Sequence, residues 1–132
     1  MPSRVRPAEP AALAAALAAR AAGTADKAAT RLLVKHFLAR LSERAPGRAV
    51  EVRVPPYAAV QCIPGTTHTR GTPPAVVEAD ADTWIALALG DLGWSAALST
   101  GRVRASGERS DLAPWLPLAE PSQTADKTGL PD

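Results

Sequence analysis

Residues 80–118, DADTWIALALGDLGWSAALSTGRVRASGERSDLAPWLPL, constrain the fold more than any other stretch. They hold all three tryptophans, Trp84, Trp94 and Trp115, along with the clearest helix stops in the chain. Asp80 is placed to N-cap a helix, and Asp82 falls in its first turn, where the helix dipole favours negative charge. Trp84 and Ala88 then share a face, with Ala81, Ile85 and Leu89 next to it, until Gly90 supplies a left-handed stop. A second short helix pairs Trp94 with Leu98 at i,i+4 and ends by Gly101. Residues 102–106 alternate as a strand, Val103 and Ala105 inward, Arg102 and Arg104 outward. A last short helix takes Asp111 as its cap. That choice puts Pro114 at the third helical position, where its missing N–H forfeits no bond. Large apolar side chains on short helices beside a sheet make a wall for a greasy pocket.

The earlier chain supplies the rest of the sheet. Residues 11–22 are nearly pure alanine with Leu13 and Leu17 four apart, a helix by propensity ended by Gly23. Thr24 is the expected cap of a stronger helix in which Leu33, Phe37 and Leu41 form one row flanked by Val34 and Leu38. His36 falls on the polar side of that helix and reads as solvated. Residues 48–54 alternate, Val50, Val52 and Val54 against Glu51 and Arg53, as in a strand with one wet face. Pro55 and Pro56 bend the chain. Residues 57–63 resume as a strand whose two faces are both fairly apolar, which suggests an inner position. Residues 64–74 (PGTTHTRGTPP) are too rich in Pro, Gly and Thr for either period and form a loop. Residues 75–79 are a short third strand.

These readings give an α+β fold: an antiparallel twisted sheet of about four to five strands, helices packed on one face, and an N-terminal helical extension. Residues 1–23 are the leader and Ala-rich helix, 24–118 the folded domain, and 119–132 a polar tail without period, expected to be disordered.

The totals exclude several classes. Fifteen Lys and Arg against thirteen Asp and Glu, interleaved, leave a formal charge of +2 and no nucleic-acid stripe. One cysteine, Cys62, permits no internal disulfide and suits a reducing cytoplasm. The Ala/Leu run near the start is a poor signal peptide, because Glu9 and Pro10 interrupt its approach and Arg20 sits where a small-residue cleavage site belongs. Nowhere are there about 18 consecutive strongly apolar residues, so no integral membrane segment is read. Cys62 lies mid-strand with no third group to orient His68 toward it, so a thiol nucleophile is not indicated. Two histidines and one cysteine far apart make a poor zinc set, and no phosphate-binding glycine motif is present. The reading is of a non-enzyme without cofactor.

Residues 80–118 resemble the sterol carrier protein 2 (SCP2-like) domain: a helix from Asp82 to Gly90, the Ala96-Ala97 helix, the Gly101-Arg102-Val103-Arg104-Ala105-Ser106-Gly107 strand and a closing helix. The VEVRVPP, AVQC, HTRGTPP and VVEAD segments, with the strand just given, are similar to the small bacterial subgroup of sterol carrier family proteins. The resemblance covers roughly residues 28–118. It implies a sheet with helices on one side, an apolar tunnel between them, and a carrier role for a fatty acid, sterol or acyl-CoA class ligand.

Candidate lining residues are Trp84, Ile85, Ala88, Trp94, Leu98, Trp115, Leu116 and Val60; the same side chains would equally fill a solid core. Each acyl methylene transferred to such a tunnel gives about 0.8 kcal/mol, so a chain of several outweighs any exposed charge contact. Arg70, with His68 and Thr72, is placed to hold a carboxylate or phosphate head, or else to brace its own loop. The alternative function is a packed protein–protein or accessory module without ligand, and the partner is then a second copy or another protein.

Overall fold

The computed structural model describes residues 5–65, 75–107 and 110–119. Four α-helices and four strands follow in the order α1 (Pro10–Ala22), α2 (Lys27–Arg44), β1 (Val50–Val54), β2 (Ala58–Cys62), β3 (Ala75–Ala79), α3 (Ala81–Leu89), α4 (Trp94–Ser99) and β4 (Val103–Ser106). The fold class is the α+β arrangement expected, with the helical extension in front.

The strands form one sheet in the order β2-β1-β3-β4. β1 pairs antiparallel with β2, Val52 opposite Val60, and β3 pairs antiparallel with β4, Val77 opposite Ala105. The central pair differs from the expectation: β1 and β3 run parallel, Val52 opposite Val77. β3 takes the side of β1 opposite β2, and the whole span 55–74, β2 included, connects the parallel pair, long enough for such a connection. β2 is consequently an edge strand of this sheet rather than an inner one. Its open-face residues Ala59 and Gln61 are exposed, and the apolar Tyr57 and Ile63 that made both faces look buried lie outside the strand.

One face of the sheet is apolar and covered. Val50, Val52 and Val54, Val60 and Cys62, Ala75, Val77 and Ala79, and Val103 are all buried on it. The pairing register lines them up across strands, so a single period-two pattern is shared by all four. α2 packs on β2 and α3, and α4 beside β4. Burial of each valine contributes roughly 1.5–3 kcal/mol. The opposite face carries Glu51, Arg53, Gln61, Glu78 and Arg104 and is open to solvent.

Local chemistry explains the helix bounds. Asp80 caps α3 as expected, its Oδ1 accepting the Thr83 N–H at 2.8 Å, and Gly90 closes it at φ 85°. The cap of α2 is Asp26 rather than Thr24: Asp26 Oδ1 accepts the Ala29 N–H at 2.8 Å. Thr24 is committed to the end of α1, its N–H donating to Ala19 O at 2.8 Å. The expected closing helix is a single 3₁₀ turn over Ala113–Trp115. Asp111 does accept the Ala113 N–H, at 2.9 Å. Leu116 precedes Pro117 and is extended (φ −106°, ψ 150°), so no helix propagates past it.

The C-terminal segment is tied to the helices. Leu118 and Ala119 N–H both donate to Ala88 O, and the Arg44 guanidinium reaches the carbonyls of Trp115 and Pro117 at 3.1 and 2.8 Å. Leu112 and Leu118 are fully buried by this arrangement.

Candidate functional site

The layer between the covered sheet face and the helices gathers most of the residues expected to line a pocket. Trp84, Ile85 and Ala88 on α3, Trp94 on α4 and Val60 on β2 belong to one buried apolar cluster. Trp115 and Leu116 are half-buried and pack against it. Leu98 stands apart: at 42% it is the exposed large hydrophobic of the described residues, so Trp94 turns inward while its i,i+4 partner faces water. His68, Arg70 and Thr72 lie outside the described residues.

Trp84 is 1% exposed, and its indole N–H donates to Val34 O at 3.3 Å. That bond satisfies the one polar atom of a side chain otherwise surrounded by carbon. One residue earlier, the Thr83 hydroxyl is buried and has no hydrogen-bond partner among the described residues. An unpaired hydroxyl in an apolar layer is costly to the folded state.

His36, read as solvated, is 2% exposed. Its surroundings include the segment before α1 and its own helix: the Ala8 N–H donates to His36 Nδ1 at 2.9 Å, and the ring stands edge-on to Phe37. Desolvation, with the Arg40 guanidinium nearby, lowers the His36 pKa below 6.5 against a smaller opposing pull from Glu43. The ring is therefore neutral near pH 7, its Nδ1 an acceptor and its proton on Nε2. Cys62 is fully buried and its thiol is pushed up to about 12 by desolvation. The group is a small apolar core residue, not a nucleophile.

A second, polar feature lies where β3 leads into α3 and the chain enters β4. A cleft of about 540 Å³ is lined by Pro55, Glu78, Ala79, Asp80, Gly101, Arg102 and Arg104. The outward alternation of Arg102 and Arg104 was legible in the sequence; their juxtaposition with Glu78 and Asp80 needed the β3–β4 register. Among the described residues, no group of three or more His, Cys, Asp or Glu side chains is placed to hold a metal ion. No helix among them is long and apolar enough to cross a membrane.

An open four-stranded sheet with one apolar face buried under helices defines an α+β domain. The chain belongs to the bacterial SCP ortholog family, whose model matches residues 26–118. The match leaves α1 outside it. A comparison with curated proteins finds no match.

Proposed function

We propose that the protein is a non-catalytic carrier of a hydrophobic ligand, of the fatty acid, sterol or acyl-CoA class, taken into the apolar layer between sheet and helices. The observation that carries this reading is the continuous apolar sheet face from Cys62 across Val52 and Val77 to Val103, roofed by α2, α3 and α4 in a sterol carrier family domain. In this reading Trp84, Ile85, Ala88, Trp94 and Val60 are the wall, and Trp115, Leu116 and Leu98 form the rim. His68, Arg70 and Thr72 hold the polar head. Removal of methylenes from water drives binding at about 0.8 kcal/mol each, so an acyl chain of eight carries roughly 6 kcal/mol before any head contact. The half-buried Trp115 and Leu116 are the side chains whose displacement opens the layer. The sole cysteine fits a reducing compartment, and the cytoplasm completes the proposal.

A second reading is favoured by one observation. Trp84 is sealed in with its indole N–H already bonded to Val34, as in a solid core, while Leu98 is left exposed. The domain would then be an accessory module docking through the Leu98 surface, to a second copy or another protein.

Titration with a fluorescent fatty acid separates the two. The carrier reading predicts saturable binding at one equivalent, reversed by unlabelled palmitate and weakened by Trp115→Ala. Linear, unsaturable fluorescence that palmitate does not reverse leaves the accessory module.

A further inference from the structure

Arg102, just before β4, and Arg104 within it are two arginines for which the carrier reading has no use, and both line the polar cleft. In the β3–β4 register Arg104 lies opposite Glu78. The same register carried one residue further sets Arg102 opposite Asp80. The cleft therefore has a cationic side, Arg104 on β4 with Arg102 just before it, and an anionic side, Glu78 on β3 with Asp80 just after it, on strands whose backbones lie about one strand spacing (~4.8 Å) apart.

Neither pair is closed. Arg104 and Glu78 make no ion pair among the described residues, Arg102 reaches to Asp82 at 3.3 Å, a carboxylate it shares with Arg20 at 2.9 Å, and Asp80 uses one oxygen to cap α3. Arg53, the neighbour of Glu78 on β1, is occupied by Glu51 at 2.8 Å. Two arginines and two carboxylates sum to zero charge in the lining. A simple anion would gain from one wall and be repelled by the other, and a simple cation the reverse. A molecule carrying both charges, spaced like the walls, gains from both.

The geometry points to a binding site for a small zwitterion with a phosphate and a primary ammonium, of the phosphoethanolamine type. Arg102 and Arg104 receive the phosphate; Glu78 and Asp80 receive the ammonium. Phosphate is favoured over carboxylate on the cationic side because it carries more charge and a third terminal oxygen, and so offers more acceptor sites to two guanidinium forks. A two-carbon spacer sets the two charges about one strand spacing apart. The site uses none of the side chains assigned to the ligand wall, rim or head, so it stands or falls independently of the carrier reading.

The test is an amide-shift titration of the full chain with O-phosphoethanolamine, with inorganic phosphate and ethanolamine as single-charge controls. Saturable shifts confined to residues around 78–80 and 101–104 are expected, with either control at least about tenfold weaker. Arg104→Ala and Glu78→Gln, both on the open face, should each weaken phosphoethanolamine about tenfold, and Glu78→Gln should narrow its advantage over phosphate. Phosphatidylethanolamine vesicles form a separate arm. Vesicle binding that free phosphoethanolamine competes away identifies a lipid headgroup as the source, and binding of the free compound alone identifies a soluble one; either supports the site. Absence of saturable shifts at these residues, or phosphate binding as tightly as phosphoethanolamine, overturns it.

Discussion

Gly47 lies against the carbonyl of Ile63, and a Cβ at Gly47 would overlap that carbonyl group and the Pro64 nitrogen. The contact belongs to a knot that joins three elements. Ile63, itself in the left-handed region at φ 74°, donates its N–H to Ala45 O at the end of α2 and accepts from Ala49 N–H ahead of β1. The crossing of α2 into the sheet is thus fixed by backbone bonds that require a residue without a side chain.

Gly23 provides the comparison. It is also left-handed, at φ 76°, but a Cβ there meets nothing. Gly23→Ala should cost about 1–2 kcal/mol, the strain of the conformation alone. Gly47→Ala adds a backbone overlap and should lose at least about 2 kcal/mol more. Urea unfolding of both variants checks the ordering; equal midpoints would show that the knot yields freely.

His36 should make stability fall in mild acid. Its folded pKa is lowered, so between that value and 6.5 the unfolded chain binds more protons than the folded one. Stability is therefore full above pH 6.5 and is lost as pH falls toward the folded value. His36→Asn keeps an acceptor near the Nδ1 position without the titration, and its urea midpoint should be flatter between pH 7.5 and pH 5.5 than that of the unsubstituted protein. A His36 ring that titrates above 6.5 by proton NMR would contradict the burial argument.

Thr83 is the position where a single change should stabilise. Its buried hydroxyl has no partner among the described residues, and valine has nearly the same shape without the polar atom. Thr83→Val should gain about 1 kcal/mol, measured by thermal or urea unfolding. A loss of that size would mean that the hydroxyl is paired in solution.

Cys62, raised to about 12, should resist alkylation. With excess iodoacetamide at pH 8 the native protein should stay unmodified for as long as it stays folded, and react promptly in urea. Rapid labelling without denaturant would place β2 outside the protected core.

What could be read from the residues alone was whatever short-range chemistry decides. The Asp80 cap and Gly90 stop of α3, the valine alternation of β1 and the turn at Pro55-Pro56 are each settled within a few positions. The edge place of β2 and the parallel β1–β3 pair depend on which side of β1 the third strand takes, which no local pattern encodes. His36 looked solvated because helical periodicity sees only the sheet-facing stripe, whereas the ring is met from outside the helix by the N–H of Ala8. The apolar half of the candidate site was legible because tryptophans on helix faces must be buried against something. The polar cleft was not, because Glu78 and Arg104 are 26 residues apart and meet only through strand register.

The central claim is that a hydrophobic guest occupies the layer beneath α3. Native mass spectrometry of the full chain, purified without detergent and then incubated with palmitate, tests it most directly. The account predicts an adduct of one palmitate mass that survives gentle ionisation and disappears under denaturing conditions. A spectrum showing only the bare polypeptide mass, across a palmitate excess that leaves the protein folded, would contradict it.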